Sequence, residues 1–287
     1  MGLQQNRVAV VTGASRGAGR GIATALGASG ATVYVTGRTR REGDAALPGT
    51  VQATADAVSA AGGRGIAVHC DHADDSQVEA LFQRVRQEQG RLDILVNNAT
   101  VLHDRLTDTG PFWEKPLALV DILDVGLRSH YSATWFAAPL LLANGEGLVV
   151  NTSSFGGRIY MHGPAYGAGK AGLDKMAHDM AVDFRPHSVA VVSLWLGLLA
   201  TDRTRRVFAA DPDKYAGMAD AAESPEFSGR VIDALARDPQ LMSKSGKVWI
   251  GAELAQEYGV AEADGRQPPS PRAFFGDTTC FGDAVVE

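Results

Sequence analysis

The sequence predicts an α/β fold in which one doubly wound, seven-stranded parallel sheet carries helices on both faces. Short apolar runs rich in β-branched residues alternate with longer segments of helical period, which is typical of a parallel sheet. The chain has 287 residues, 45% of them hydrophobic and 21% charged, and can therefore bury the core of a large domain. Because crossover connections are right-handed, we expect the strand order 3-2-1-4-5-6-7.

The elements follow one another in alternation. The predicted strands are residues 7–12, 32–36, 65–70, 93–97, 147–153, 189–194 and 247–250, and the predicted helices are residues 17–28, 52–61, 75–89, 116–143 and 165–184. Pro212, Pro225 and Pro239 interrupt the helical pieces of residues 200–245, so this stretch is predicted to cap the carboxyl ends of the strands. We expect one domain over residues 1–251 and a C-terminal extension over residues 252–287, packed on its own or on a neighbouring subunit.

Composition excludes several kinds of partner. With 27 Lys+Arg against 33 Asp+Glu the net charge is -6, which provides no field for nucleic acid or an anionic membrane surface. Cys70 and Cys280 are too few for a disulfide framework, which favours a reducing compartment. No apolar run is long enough to cross a membrane, and no His, Cys and carboxylate cluster has metal-ligand spacing. We therefore expect a soluble, cytoplasmic protein with no metal, nucleic-acid or membrane partner.

A glycine-rich loop joins the first predicted strand to the first predicted helix. It reads Thr12-Gly13-Ala14-Ser15-Arg16-Gly17-Ala18-Gly19. Glycines let the backbone turn tightly and approach a pyrophosphate, whose charge is favoured at a helix N-terminus. An ordinary glycine-rich turn is the alternative, but the strand–loop–helix context favours a dinucleotide site.

Five ordered motifs resemble those of the short-chain dehydrogenase/reductase family. They are this loop, Asn97-Asn98-Ala99, Asn151-Thr152-Ser153-Ser154, Tyr166-Gly167-Ala168-Gly169-Lys170, and Gly197 with Thr201. The resemblance covers roughly residues 7 to 251. It implies a Rossmann fold, a nicotinamide cofactor and an oxidoreductase acting on a small molecule. The cofactor contacts that it implies are Gly13, Ser15, Arg16, Gly17, Gly19, Asn98, Tyr166, Lys170, Gly197, Thr201 and, for the adenine, Asp71.

Three side chains suit carbonyl–alcohol chemistry. A phenol has a pKa of about 10, and a nearby cation lowers it. Lys170 follows Tyr166 by one helical turn, so we assign Tyr166 as general acid/base and Lys170 as its activator, although such a pair alone is commonly surface packing. A serine after the fifth strand would stabilise the substrate oxygen. Ser153 and Ser154 compete for that role, and the family resemblance selects Ser154.

Three positions depart from the family pattern. Thr100 replaces a glycine, Leu196 a proline, and Gly126 an asparagine assigned to a proton relay. Glycine kinks a helix without a side chain, so we expect Gly126 to keep a carbonyl–water path to Lys170 open. His130 is a candidate replacement for the relay, although a packed histidine is the expected role, and His162 is expected to line the pocket.

The end of the second strand favours NADP(H). An enzyme that selects NAD usually carries an Asp or Glu there, whereas a 2′-phosphate calls for arginine. Here the strand leads into Gly37-Arg38-Thr39-Arg40-Arg41, with no carboxylate before Glu42. Arg38 and Arg16 are the predicted phosphate ligands, and a solvated basic turn is the alternative.

The predicted function is NADP(H)-dependent interconversion of a carbonyl and an alcohol. Apolar residues of the cap favour an apolar substrate, and they are Val207, Phe208, Tyr215, Met218 and Phe227. Loss of the relay asparagine leaves a dinucleotide-binding sensor or scaffold without turnover as the alternative. An epimerase or dehydratase usually needs a larger C-terminal domain. By resemblance, the helices of residues 116–143 and 165–184 pair across a two-fold axis, which predicts a homodimer or homotetramer.

Overall fold

A seven-stranded parallel sheet forms the centre of the computed structural model, which describes residues 7–213 and 215–276 and the backbone of residues 285–286. Cys280 lies outside the described residues. The strands of the sheet are β1 (Val8–Val11), β2 (Thr32–Gly37), β3 (Arg64–His69), β4 (Ile94–Asn97), β5 (Gly147–Ser153), β7 (Val189–Trp195) and β8 (Val248–Ile250). A separate short strand, β6 (Tyr160–Met161), pairs in parallel with β9 (Val285–Val286). The sheet order β3-β2-β1-β4-β5-β7-β8 confirms the predicted doubly wound topology, since only β6 shifts the numbering.

Helices cover both faces of the sheet. They are α1 (Gly17–Ala28), α2 (Val51–Ala60), α3 (Asp75–Gln89), α4 (Ser129–Asn144), α5 (Pro164–Phe184), α6 (Asp202–Ala210), α7 (Met218–Ala221), α8 (Pro225–Leu235), α9 (Leu241–Lys244), α10 (Gly251–Tyr258) and α11 (Arg272–Phe275). Side-chain caps begin several of them: Thr50 accepts from the Ala53 N–H at α2, and Asp74 from the Ser76 N–H at α3. Among the described residues, no helix is long and apolar enough to cross a membrane.

Alternate residues of each strand enter two separate cores. In β1, Ala9 and Val11 pack with α1, α2 and α8, whereas Val8 and Val10 pack with α3, α4 and α5. Both faces of β1 are therefore excluded from solvent, and all four of its residues are buried. Asn97, Thr152 and Ser153 lie at the carboxyl ends of β4 and β5, where a doubly wound sheet binds its ligands.

The predicted helix of residues 116–143 is wrong in its first half. A 3₁₀ turn covers Leu117–Ile122, a π turn covers Asp124–Arg128, and α4 begins only at Ser129. The cause is Gly126, whose φ of 148° and ψ of -22° no helix contains, and which follows a Val125 with extended ψ. The predicted kink at Gly126 is thus present. It separates the short turns of residues 117–128 from α4.

The predicted cap also differs in part from the structure. α8 packs against α1, and its Phe227 is fully buried in the core with Val231 and Ile232. Phe227 therefore belongs to a core layer and does not line a pocket, because its helix covers the sheet. The other apolar cap residues lie on α6, on α7 and in the segment between them, where the Tyr215 ring stacks on the Phe208 ring of α6 at 5.0 Å.

Candidate active site

α5 and the end of β5 bring Ser154, Tyr166 and Lys170 together. The Ser154 Oγ lies 2.9 Å from the Tyr166 Oη, and Pro164 in the first turn of α5 fixes the start of the helix that carries the tyrosine. One turn later, the Lys170 Nζ donates to the Thr152 carbonyl at 3.0 Å and lies 5.7 Å from the centre of the Tyr166 ring. The hydroxyl pair and the ammonium thus meet at the carboxyl edge of the sheet.

The geometry distinguishes the two candidate serines. Ser153 is buried, and its Oγ donates to the Lys170 carbonyl at 3.3 Å, on the side away from the phenol. Ser154 is partly exposed, and its Oγ also accepts from the Gly156 N–H at 3.2 Å. A substrate oxygen beside the phenol would therefore meet Ser154 and not Ser153.

Burial changes the acidity of both catalytic candidates. Desolvation lowers the pKa of Lys170 to about 8, against a rise caused by the carboxylate of Asp174. Desolvation also raises the pKa of Tyr166, and the hydrogen bond with Ser154 lowers it. Loss of water around the phenol therefore opposes the lowering of the Tyr166 pKa that the sequence predicts from Lys170.

A buried polar network links β4, β5 and α4. The Asn97 Nδ2 donates to the Thr134 Oγ1 at 2.9 Å and to the Asn151 Oδ1 at 3.0 Å. The His130 Nε2 lies 3.2 Å from the Ala99 carbonyl, which only accepts, so the proton of this imidazole is on Nε2. Burial and the charge of Lys170 lower the pKa of His130 to about 3, which keeps the ring neutral. His130 is therefore a packed histidine that holds the turn after β4.

The predicted dinucleotide residues converge at the same edge of the sheet. They are Gly13, Ser15, Arg16, Gly17 and Gly19 between β1 and α1, Arg38 after β2, Asp71 after β3, Asn98 after β4, and Gly197 and Thr201 after β7. The Asn98 Nδ2 donates to the carbonyls of Thr12 and Gly13 at 3.0 and 3.1 Å, which fixes the loop. Gly13 has a φ of 64°, and a Cβ on it would lie 2.7 Å from the Ala99 Cα.

The N-terminus of α1 is chemically open to an anion. No side chain caps it at Arg16, and its first turn carries no acidic residue. No carboxylate of the first turn therefore compensates its N–H groups and the positive end of its dipole, which suits the negative charge of a dinucleotide pyrophosphate. The residues present are thus compatible with the cofactor that the sequence predicts.

Two of the three departures from the family pattern have structural consequences. The Leu196 N–H donates to the Ser153 carbonyl at 3.1 Å, a hydrogen bond that a proline cannot make. Thr100 points at Gly126, because a Cβ on Gly126 would lie 2.9 Å from the Thr100 Oγ1. The Thr100 side chain thus occupies the space that a larger residue at position 126 needs.

The wall beside the phenol comes from the segment after β5. The His162 ring meets the Tyr166 ring edge-on, with centroids 5.0 Å apart, and burial lowers the pKa of His162 to about 4. A small cavity lies between Tyr160 and His162 on one side and residues 106–110 with Lys115 on the other. His162 therefore lies beside the Tyr166 ring and lines this cavity.

Two buried carboxylates were not predicted from the sequence. Asp174 is 4% exposed and follows Lys170 by one turn of α5, so the four-residue spacing was a usable signal. Glu223 is 2% exposed, and its Oε2 accepts from the Gly197 N–H at 3.2 Å. Burial and the neighbouring Glu262 raise the pKa of Glu223 to about 7. No periodicity in the sequence indicates that Glu223 is buried.

Comparison with known proteins identifies the family. The model of the short chain dehydrogenase family matches residues 7–212. The chain is 43% identical over 273 residues to dehydrogenase/reductase SDR family member 1 of Mus musculus, covering 91% of this chain and 85% of the relative. The human protein of the same name is 42% identical over 274 residues, covering 91% of this chain and 84% of the relative. A short-chain type dehydrogenase/reductase from Mycobacterium marinum has a similar structure, with a TM-score of 0.71, 25% identity, and coverage of 86% of this chain and 94% of that chain. The chain therefore belongs to the short-chain dehydrogenase/reductase family, whose members are oxidoreductases that bind a nicotinamide dinucleotide.

Proposed function

We propose that this protein is an NADP(H)-dependent oxidoreductase that interconverts a carbonyl and an alcohol on a small, mainly apolar substrate. The distance of 2.9 Å between the Ser154 Oγ and the Tyr166 Oη carries the proposal, with Lys170 one helical turn away. A protein that only binds a dinucleotide has no use for a serine–phenol pair beside an ammonium. The intact arrangement therefore favours turnover over a sensor or scaffold role.

The three side chains divide the proton chemistry between them. When bound, the nicotinamide supplies or accepts the hydride. In reduction, the Tyr166 hydroxyl gives its proton to the substrate oxygen, and the Ser154 hydroxyl hydrogen-bonds the same oxygen as negative charge develops on it. The Lys170 ammonium stabilises the phenolate that Tyr166 leaves. In oxidation, the Tyr166 phenolate takes the proton back.

The preference for NADP(H) rests on charge at the end of β2. Arg38 is exposed there and Arg16 lies in the adjoining loop, and the sequence after β2 carries no carboxylate before Glu42. Gly13, Ser15, Gly17 and Gly19 would hold the pyrophosphate, and Asp71 the adenine. We assign the nicotinamide side to Asn98, Tyr166, Lys170, Gly197 and Thr201.

The apolar substrate class rests on α6, α7 and the segment between them. Val207 and Phe208 lie on α6, the Phe208 ring stacks on Tyr215, and Met218 is 42% exposed. Apolar side chains at the edge of a pocket favour apolar ligands. These contacts support aldehydes, ketones or quinones in preference to sugar phosphates.

A substrate screen with a matched variant tests the proposed function. Aldehydes, ketones and quinones are offered to the chain while the absorbance of NADPH is followed, with NADH in parallel. Tyr166→Phe removes the proton donor, so kcat/KM should fall by roughly a hundredfold or more, with NADPH binding nearly unchanged. Tyr131→Phe, at an exposed tyrosine of α4, is the control and should retain activity. A wild type that binds NADPH but oxidises it with no carbonyl compound would support the binding protein instead.

A further inference from the structure

We propose that Asp174 is a positioning residue for proton transfer, whose buried carboxylate keeps Lys170 charged. The inference rests on the proposed function for its kinetic readout but not for its electrostatic one. Tyr166, Lys170 and Asp174 are spaced by four residues on α5, so the three side chains lie along one face of the helix. Asp174 is thus the next charged group below the ammonium, on the side away from the phenol.

The carboxylate is held from β7. Its Oδ1 accepts from the Ser193 Oγ at 2.7 Å and from the Trp195 Nε1 at 2.9 Å. Its Oδ2 has no hydrogen-bond partner among the described residues and lies 3.7 Å from the Arg158 Nη1. Desolvation raises the pKa of this carboxyl, which is 4% exposed, whereas the hydrogen bonds from Ser193 and Trp195 and the charge of Arg158 lower it and so favour the carboxylate.

Packing forces the carboxylate close to the backbone of Lys170. Gly157 has no room for a side chain, because a Cβ there would lie 3.1 Å from both the Lys170 carbonyl carbon and the Asp174 Oδ2. The turn after β5, the Lys170–Ala171 peptide and the Asp174 carboxylate therefore pack as one unit. This contact fixes the Asp174 Oδ2 beside the Lys170–Ala171 peptide, one helical turn from the residue that carries the ammonium.

Titratable groups from three segments of the described chain surround Lys170. Tyr166 and Asp174 come from α5, Arg158 from the turn after β5, and His130 from α4. His130 is neutral because its pKa is about 3, and Tyr166 is a phenol with a raised pKa. Asp174 is the negative charge that opposes desolvation of the ammonium, which has a pKa of about 8. Loss of that charge would lower the pKa of Lys170, so that a larger fraction of the amine is neutral near pH 7. A neutral amine cannot stabilise a phenolate.

The pH dependence of turnover separates this role from a purely structural one. Asp174→Asn keeps an oxygen for Ser193 and Trp195 but removes the charge. We expect the pH at which kcat/KM falls on the alkaline side to move down by about one unit, so that activity drops roughly fivefold at pH 8, approaches a tenfold loss at higher pH, and recovers toward pH 6. Asp174→Glu retains the charge and should restore the wild-type midpoint. Ser193→Ala removes an anchor only, and should lower stability while leaving the midpoint in place.

The opposite shift is expected when the competing cation is removed. Arg158→Gln leaves the Asp174 charge uncompensated, so the alkaline midpoint should move up. This variant keeps the test decisive if Asp174→Asn does not fold. A profile of Asp174→Asn that superimposes on the wild type overturns the proposal, as does an equal shift in Ser193→Ala or a downward shift in Arg158→Gln.

A readout without turnover distinguishes failure of this inference from failure of the proposed function. Lys170 in the full chain is acetylated with acetic anhydride over a range of pH, and its labelling is quantified by peptide mass spectrometry. Only the neutral amine reacts, so Asp174→Asn should be labelled at lower pH than the wild type, while the exposed Lys175 is unchanged. If labelling shifts but no carbonyl compound is reduced, Asp174 holds the charge of Lys170 and the proposed function is wrong. Identical labelling curves refute the role of Asp174.

Discussion

Two arginines at the dinucleotide edge differ in how firmly they are held. The Arg16 guanidinium donates to the carbonyls of Pro48 and Gly49 and to the Thr39 Oγ1 at 2.8 to 3.0 Å, and thereby ties the glycine loop to the start of α2. The Arg38 side chain is 61% exposed and lies 3.8 Å from the Asp71 carboxylate. Arg38 is therefore free to turn toward a 2′-phosphate, whereas Arg16 would have to give up existing bonds.

Arg38→Asp should shift the cofactor preference from NADPH toward NADH. The change replaces a phosphate ligand with a charge that repels phosphate, so NADPH affinity should fall roughly ten- to a hundredfold, or about 1.5–3 kcal/mol. Arg40→Asp makes the same charge change at another exposed arginine and should have a much smaller effect. Calorimetric titrations with both cofactors measure this. Equal binding of NADH and NADPH by the wild type would contradict the assignment.

Sequence spacing predicts which side chains meet, but not how much water surrounds them. The four-residue interval of Tyr166 and Lys170 and the position of Ser154 after a strand were enough to predict three groups at one point. Their pKa values follow from burial, which depends on segments distant in sequence. Glu223 is buried beside Gly197 by the packing of residues 196–201, and no local pattern indicates it.

Glu223 makes the stability of the chain depend on pH. The folded pKa of about 7 lies above the ordinary 4.5, so this group contributes most to stability below pH 4.5, and its contribution is lost as the pH rises to 7. Glu223→Gln removes the buried charge and should be more stable than the wild type at pH 8 by about 1–3 kcal/mol. Urea unfolding from pH 4 to 8 should show this difference shrinking toward low pH. The exposed Glu114→Gln should show no such trend, and a constant difference for Glu223→Gln would refute the argument.

Among the elements, α4 shows where periodicity fails. Apolar residues continue across residues 116–143, so the sequence predicts one helix, yet one backbone conformation at Gly126 ends it. The freed groups find other partners: the Val125 carbonyl accepts from the Val101 N–H at 2.8 Å, and the Gly126 N–H donates to the Ser129 Oγ at 3.1 Å. Such compensation depends on residues 100–101, which are remote from the helix in sequence.

A side chain at position 126 should be costly in a way that depends on Thr100. Gly126→Ala combines the strained φ of 148° with the contact to the Thr100 Oγ1, and should destabilise the fold by about 2–4 kcal/mol. Gly145→Ala is the control, since its φ is 73° with nothing within 4 Å, and should cost about 1 kcal/mol. In a Thr100→Ala background the cost of Gly126→Ala should fall by about 0.5–1 kcal/mol. Additive unfolding free energies in this double-mutant cycle would show that the two positions are independent.

At the scale of the whole molecule, the crossover rule was sufficient to predict the sheet order, whereas the course of the C-terminal extension was not predictable. Its Phe275 ring lies 5.4 Å from Phe155, the residue after Ser154, and its strand β9 pairs with β6. These contacts bring the end of the chain to the active-site wall. They depend on which surfaces remain open once the domain has folded, which composition and periodicity do not encode.

Exposed aromatic residues on α4 predict how the chain assembles. Tyr131 and Trp135 are 54% and 62% exposed one turn apart on α4, and Val182 on α5 is 59% exposed. A large apolar surface on paired helices is typical of an interface between copies, and a two-fold axis would bury the same residues of each.

We therefore expect light scattering at micromolar concentration to give two or four times the chain mass of 30.2 kDa. Trp135→Glu places a charge in the interface and should reduce the mass toward that of one chain, while Phe274→Glu, at an aromatic residue 70% exposed on α11, should not. A wild type of one chain mass, or equal dissociation by both variants, would exclude assembly through α4 and α5.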